Sequence, residues 1–394
     1  MKMGAPVIGL VDCSGLRLQE ATDALDGFGQ MYLNQTMASG VVPQICAVFG
    51  SCGGGMAVSS AIADFVFMEE KAKMFVNSPN ALAGNDEKKC DTASADFQSG
   101  ESGLADVVGS AEEILAKVRT LVSVLPANNE DDMSYDECGD DLNRLCENIE
   151  SFRGDTGKAL SMISDDGFFF EVKENYGPEM VTAFIRLNGM TVGCVANRTE
   201  VLDEENEKTA EYEPVLGARG CDKAAEFVSF CDAFNIPVLA LVNVKGYKQS
   251  KCTERRIAKA AGRLTYAFAN ADVPKVTVVI GEAYGSAYVT MNSKSIGADI
   301  VYAWPDAKIG MMDAAAAVKI MYAEEISASD KAAALISEKA AEYEALQSSA
   351  AAAAGRGYVD DIIKADETRQ RVIAAFEMLF TKREGRPSRK HGTV

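Results

Sequence analysis

Short apolar runs closed by proline or glycine punctuate this chain: "PVIGLVDCSG" from Pro6, "VPQICAVFG" from Val42, "PVLALVNVKG" from Pro237 and "VPKVTVVIG" from Val273. Continuous apolar runs of this length predict strands covered on both faces, as in a largely parallel sheet. Between them, "ATDALDGFGQMYLNQTMASG", closed by Gly40, and "ERRIAKAAGRLTYAFANA" predict helices. The order strand, helix, strand, glycine turn and helix start therefore occurs twice, which is repeated β-α-β.

The two copies keep one offset. Pro6 and Pro237, Gly15 and Gly246, Pro43 and Pro274, and Gly50 and Gly281 each lie 231 residues apart. The pairs Ala63-Asp64 and Ala298-Asp299 lie 235 apart, so the second copy has four extra residues after its glycine turn. One offset shared by separate blocks predicts an internal duplication. Before the second copy, "FFFEVKENYG", "MVTAFIRLNG" and "MTVGCVANR" read as strands, the last two meeting at Gly189-Met190, and "CDKAAEFVSFCDAF" reads as a helix. Under the offset their counterparts fall before residue 1, so the first copy begins midway through its unit. The acidic stretch 126–157 reads as a linker with a short helix, 77–103 as a loop, and the alanine-rich Ala314–Ala354 as helical. The expected domains are 1–150 and 151–394.

A length of 394 residues agrees with two domains. The net charge of -19 excludes a nucleic-acid binder and requires a local exception for any anionic ligand. No run approaches the roughly 18 apolar residues of a membrane span, and "MKMGAPVIGL" lacks the layout of a signal peptide. Ten scattered cysteines without CxxC pairs read as reduced thiols of a cytoplasmic protein. The single histidine, His391, sits in a basic tail with Arg386, Arg389 and Lys390, so no Ser-His-Asp triad, Cys-His dyad or histidine metal site is expected.

The glycine turns remain as the candidate chemistry. A strand that ends in glycines and opens a helix presents unpaired N–H groups at the positive end of the helix dipole. Two such groups aimed at one point form an oxyanion hole. The candidates are Gly54 and Gly55 in the first copy and Gly285, Ser286 and Ala287 in the second. "GSCGGGM" is no P-loop, because no Lys-Ser/Thr follows. Cys52 reads as packing, having no histidine to activate it. Two oxyanion sites point to transfer of a group between two carbonyl compounds.

The blocks "GAPVIGLVDCSGLRLQEATDAL" and "ASGVVPQICAVFGSCGGGMAVSSAIADFVFMEE" resemble the N-terminal lobe of biotin-dependent carboxyltransferases, which include acyl-CoA carboxylase β-type subunits and glutaconyl-CoA and methylmalonyl-CoA decarboxylase α subunits. "ARGCDKAAEFVSFCDAFNIPVLALVN" and "YAFANADVPKVTVVIGEAYGSAYVTMNSKSIGADIVYAWPDAKIGMM" are similar to the C-terminal lobe. The resemblance runs over nearly the whole chain. It implies an α/β fold of two tandem crotonase/ClpP-like β-β-α superhelical lobes, the first lacking its initial strands. Gly54 and Gly55 then inherit the catalytic oxyanion role on the acyl-CoA side, with Gly53 and Arg17 binding substrate. Ser286 and Ala287 inherit it on the carboxybiotin side, with Gly285 and Val289 beside them. The implied mechanism needs no histidine: carboxybiotin gives up CO2, the ureido anion takes the α-proton of the thioester, and the enolate attacks CO2.

The resemblance further implies biotin on a separate carrier protein, no metal, a biotin carboxyl carrier protein and a biotin carboxylase as partners, no direct membrane insertion, and a homo-oligomer, expected as a hexamer, because the family's active site needs two subunits. Departures are also visible. Gly285-Ser286-Ala287 stands where many members have Gly-Gly-Ala, and Lys245-Gly246-Tyr247 and Ala258-Lys259 stand where many have Pro-Gly-Phe and Arg-His. Val289 replaces an acidic residue of some members, which implies a small apolar acyl group. Arg17 meets a CoA phosphate on this reading and is equally well a solvated or paired loop arginine; Lys294 and Asp299 are expected to fix their helix. The function expected is carboxyl transfer to a short acyl-CoA. The alternatives are the α subunit of a biotin-dependent acyl-CoA decarboxylase, a hydratase or isomerase (against which no glutamate base follows either turn), and a non-catalytic structural subunit.

Overall fold

The structure, a computed structural model, describes residues 2–131 and 137–385. His391 and the tail cations Arg386, Arg389 and Lys390 lie outside the described residues, as do residues 132–136 of the acidic stretch. The chain forms two compact units: Met1–Ser134 with Phe170–Pro178 and Ala233–Asn235, and Tyr135–Phe169 with Glu179–Asp232 and Ile236–Val394.

In the first unit, β1 (Val7–Cys13), α1 (Ala21–Ala38), β2 (Gln44–Gly53), α2 (Gly55–Ile62), β3 (Phe65–Glu69), β4 (Lys73–Phe75), β5 (Val107–Gly109) and α3 (Ala111–Val124) follow one another. The sheet order is β1-β2-β3-β5, with β4 beside the far end of β2 and every pair parallel. Ser110 and Glu113 close a capping box at the start of α3. Stretch 77–103 is loop with one 3₁₀ turn and one π turn.

The second unit contains α4 (Thr156–Ile163), β6 (Met180–Leu187), β7 (Met190–Asn197), α5 (Ala218–Ala233), β8 (Val238–Val244), α6 (Ile257–Asn270), β9 (Lys275–Tyr284), α7 (Gly285–Thr290), β10 (Ile300–Ala303), β11 (Lys308–Gly310), α8 (Ala314–Met321), α9 (Ala332–Tyr343), β12 (Asp361–Ile362) and α10 (Thr368–Leu379). Its sheet runs β12-β10-β9-β8-β7-β6, with β11 beside β9. The β6–β7 pair is antiparallel and turns at Asn188-Gly189, both at positive φ as a two-residue hairpin turn requires. The alanine-rich stretch is helical but broken into segments, two of them opened by the side-chain caps Asp313 and Ser349.

The duplication holds to the residue. Adding 231 to both ends of β1 and β2 gives the ends of β8 and β9. The registers match too: Val7 pairs with Gln44 and Val238 with Lys275, and both ladders shift just after Val11 and Val242. The shift has the same cause in each copy. The Ser51 N–H donates to Asp12 Oδ1 (2.9 Å), and the Glu282 N–H donates to Asn243 Oδ1 (3.1 Å), so a side chain replaces the ladder carbonyl. A Cβ on Gly50 would overlap the Asp12 carboxylate, and one on Gly281 would lie 2.6 Å from Asn243 Oδ1. Glycine is therefore required before each turn. The Ala-Asp pairs are also explained: Asp64 and Asp299 accept the N–H of Gln44 and Lys275 (2.8 Å each) and return their own N–H to the same residue's carbonyl (2.9 Å each). Lys294 Nζ donates to the Asp299 carbonyl and pairs with Asp360, a structural role as expected.

The copies differ at one edge. All of β8 is buried because β7 lies beside it, whereas in β1 Val7, Ile8 and Leu10 are 49%, 45% and 63% exposed.

A buried ionic cluster fastens α10 within the second unit. Arg369, fully buried, pairs with Asp165 (2.7 Å) and Asp140 (3.4 Å) and donates to the Ile163 carbonyl (2.6 Å). Asp165 in turn accepts the N–H groups of Asn188 and Gly189 at the hairpin turn. The hydrogen bond from Arg144 holds the Asp140 carboxyl down at about 2. A carboxyl depressed in the fold adds stability that is complete above its unfolded value of about 4 and is lost as pH falls toward its folded value. Unfolding monitored from pH 5 to pH 2 should therefore show a decline in stability that Asp140→Asn makes shallower; parallel curves would refute the linkage.

Candidate active site

In the first unit β2 runs straight into the turn. Gly54, between β2 and α2, has φ +59° and ψ -124°, a conformation that residues with a Cβ avoid. A Cβ there would meet nothing within 4 Å, so backbone conformation and not space demands glycine. The Gly54 N–H already donates to the Phe75 carbonyl at the end of β4 (2.9 Å). The N–H groups left at the helix start are those of Gly55 and Met56, which have no carbonyl one turn back. Of the expected pair, Gly54 makes the corner with its N–H already engaged, and Gly55 and Met56 follow it at the helix start. The 231-residue offset lays Gly55-Met56 under Ser286-Ala287. Gly53 is buried, and a Cβ on it would lie 3.1 Å from the Ser14 carbonyl and 3.2 Å from the Phe75 ring.

Beside this turn lies a cavity of about 480 Å³ lined by Cys13, Gly15, Leu16, Arg17, Glu20, Asp23, Ala24, Gly27, Phe28, Met31 and Met56. Its lining combines the apolar Phe28, Met31 and Met56 with the charged Arg17, Glu20 and Asp23. The Arg17 side chain is 81% exposed and faces Glu20 at 3.5 Å, a contact too solvated to immobilise it. Cys46 and Cys52 share the Ser60 hydroxyl, and burial raises both thiols, Cys46 to about 11. Neither is a thiolate near neutral pH, so neither is a nucleophile.

The second unit repeats the corner. Gly285 has φ +61°, Ser286 stands exposed at the helix start, Ala287 is buried, and Val289 is 37% exposed. Around it lie groups that sequence reasoning missed. The Tyr247 hydroxyl meets Thr290 Oγ1 (3.0 Å), which meets Thr265 Oγ1 (3.1 Å), so the strand Gly246–Tyr247 is tied to the end of α7. Burial alone pushes the Tyr288 hydroxyl up to about 12. Next to this chain the protein is basic: Lys245, Lys248, Lys251, Arg255, Arg256, Lys259 and Arg263 fall within one short segment of a chain whose net charge is -19. Lys245 pairs with Glu282, and Arg256 and Arg263 with Asp222. Lys248, Lys251, Arg255 and Lys259 are exposed and make no ion pair among the described residues. This is the local exception that an anionic ligand needs.

Among the described residues, no three His, Cys, Asp or Glu side chains gather as a metal site, and no helix is long and apolar enough to cross a membrane.

A pair of parallel strands opening through a glycine corner into a helix, twice in one chain, defines a two-lobed crotonase-like protein of the carboxyltransferase type. The model of the carboxyl transferase domain matches residues 1–394, and the chain belongs to that family. Over 407 residues it is 39% identical to the propionyl-CoA carboxylase carboxyltransferase subunit of Haloferax mediterranei, covering all of this chain and 77% of that protein. Over 406 residues it is 38% identical to the methylmalonyl-CoA decarboxylase α subunit of Propionigenium modestum, with the same coverage. Among solved structures, transcarboxylase 12S, a hexamer determined with hydrolysed methylmalonyl-coenzyme A bound, superimposes with a TM-score of 0.90 at 37% identity, covering 99% of this chain and 76% of that one.

Proposed function

We propose that this chain moves a carboxyl group between biotin on a separate carrier protein and the α-carbon of a short acyl-CoA. The observation that carries the reading is the pair of equivalent glycine corners, Gly54 and Gly285, each of which opens a helix with unpaired N–H groups. In this reading the N–H groups of Gly55 and Met56 hold the thioester oxygen while it bears enolate charge, each worth roughly 3 kcal/mol to the transition state. Residues 1–150 form the acyl-CoA side, with Gly53 shaping the corner and Arg17 free to reach a CoA phosphate. Residues 151–394 form the biotin side, where Ser286 and Ala287 hold the ureido oxygen and Gly285 and Val289 shape the approach. The second turn fits such a group, since Ser286 is exposed and Val289 offers an apolar face. Bound carboxybiotin supplies the carboxyl group; the chain itself supplies orientation and charge stabilisation.

The relatives support the acyl class, being named for propionyl-CoA and methylmalonyl-CoA. A biotin carboxyl carrier protein and a biotin carboxylase complete this reading, as does a homo-oligomer, expected as a hexamer like transcarboxylase 12S. Ten unpaired cysteines fit a reducing cytoplasm. The direction can be reversed, as in the decarboxylase α subunit to which the chain is similar.

The test is CO2 release from malonyl-CoA, methylmalonyl-CoA or glutaconyl-CoA with and without free biotin. Release that depends on biotin is expected; release indifferent to it, or none at all, overturns the proposal. The basic segment gives a second expectation. Replacing Lys248, Lys251 and Lys259 by glutamate should raise the KM for a biotinylated carrier about tenfold, by removing electrostatic steering, and leave the KM for free biotin unchanged. Equal effects on both would assign the segment elsewhere.

A further inference from the structure

Helix α1 is held down in an unusual way. Ala38 is its buried residue, while Leu25, Leu33 and Met37 are 59%, 61% and 57% exposed. Polar contacts do the fastening instead. Gln35 Nε2 donates to the Ser59 carbonyl (3.2 Å), Ser59 Oγ donates to Gln35 Oε1 (2.7 Å), and the Tyr32 hydroxyl donates to the Gly55 carbonyl (2.6 Å). Residues 28, 32 and 35 lie on one helical stripe, and they meet successive turns of α2 at 55 and 59.

Phe28 completes the stripe. Its ring centroid is 5.8 Å from that of Tyr32. A Cβ on Gly55 would lie 2.8 Å from the Tyr32 hydroxyl and 3.4 Å from the Phe28 ring. Gly55 does not have a positive φ. Glycine at 55 therefore answers to the two rings of α1, whereas glycine at 54 answers to the backbone. The second turn has no such clamp, because the 231-residue offset places Lys259 and Arg263 at the equivalent positions.

We propose that Phe28 and Tyr32 govern the first glycine turn: Tyr32 is a positioning residue acting through the Gly55 carbonyl, and Phe28 is the wall that limits acyl length beside it. The inference rests on the reading that this turn faces the acyl thioester. A peptide unit is planar, so the Gly55 carbonyl and the Met56 N–H turn together. A hydrogen bond accepted at the oxygen thus fixes the direction of the N–H and, by polarising the peptide, strengthens it as a donor. Phe28 lines the cavity with Met31 and Met56, so the ring beside the turn also belongs to the cavity's apolar lining.

Tyr32→Phe keeps the ring and deletes the hydroxyl. In the full chain it should lower the kcat of biotin-dependent decarboxylation about tenfold, with the KM for the acyl-CoA within about twofold of wild type, because the contact acts on transition-state charge. Gln35→Ala breaks the adjoining contact and serves as the structural control. If the two variants lose thermal stability and kcat alike, Tyr32 merely holds the helix and the positioning role is overturned; an unchanged kcat in Tyr32→Phe overturns it also. For the wall, calorimetric titration of Phe28→Ala with acetyl-, butyryl- and hexanoyl-CoA needs no turnover. The affinity for hexanoyl-CoA relative to acetyl-CoA should rise about tenfold over wild type, the worth of one to two buried methylenes, and an unchanged ratio overturns the wall. A wild-type chain that binds the series without biotin-dependent turnover sinks the carboxyl-transfer reading and leaves the wall to be decided by the ratio. A chain that binds no acyl-CoA overturns both.

Discussion

Alanine at Gly54 is expected to lower biotin-dependent carboxyl transfer about 100-fold in a chain that remains folded, the size of loss seen when one oxyanion donor is removed. The expectation follows from the corner's geometry. Gly54 sits at φ +59° and ψ -124°, and a Cβ there meets no atom within 4 Å, so the substitution acts on the backbone alone. Forcing a Cβ into that conformation costs about 1–3 kcal/mol, which the chain relieves by re-aiming the corner. What the re-aiming displaces is the direction of the Gly55 and Met56 N–H groups. Gly285→Ala is the matched experiment in the second unit, where φ is +61° and the added Cβ would also lie 3.2 Å from the Met311 carbonyl. Comparable kcat losses in both variants, with melting temperatures near wild type, are the expected result. Full activity in either one would remove its turn from the chemistry.

The second large effect is on stability. Arg369→Ala should lower stability by about 3–5 kcal/mol, because it strands the buried Asp165 carboxylate without its cation, while Asp140 keeps Arg144. For a unit of this size that corresponds to a fall of roughly 10 °C in Tm. Asp165 and Asp140 both face Arg369, and Asp165 also holds the hairpin turn, so the damage should reach β6 and β7. The Arg369→Met, Asp165→Asn double variant, which removes both charges, should recover part of the loss. A Tm within 2 °C of wild type would mean that water reaches the cluster and the charges were never desolvated.

Most of the architecture was legible before any coordinates. Continuous apolar runs at one offset located β1, β2, β8 and β9, with a proline just before each, although β2 and β9 run three residues past Gly50 and Gly281. The four-residue insertion reappears in the ladders, where Ile45 pairs with Phe65 but Val276 with Ile300. Composition marks the alanine-rich stretch as helical, yet its breaks, two of them at the caps Asp313 and Ser349, are not visible in composition. At the site, the sequence pointed to the two corners but not to the bond from the Gly54 N–H to the Phe75 carbonyl. It did not reveal the contact of Tyr247 with Thr290, since nothing in either stretch announces the other.

What the sequence by itself determined is the repeated unit, the starts of its strands and the location of the two glycine corners. These follow from local rules: periodicity, turn chemistry and the conformational freedom of glycine act over a few residues and are written in order along the chain. What only the tertiary structure decided is which partner each polar group finds. Phe75 occupies the Gly54 N–H, Tyr32 fixes the Gly55 carbonyl, and Arg369 gathers Asp140 and Asp165. Each joins elements distant in sequence, and a hydrogen bond or ion pair has no period by which one partner predicts the other. Packing brings them together.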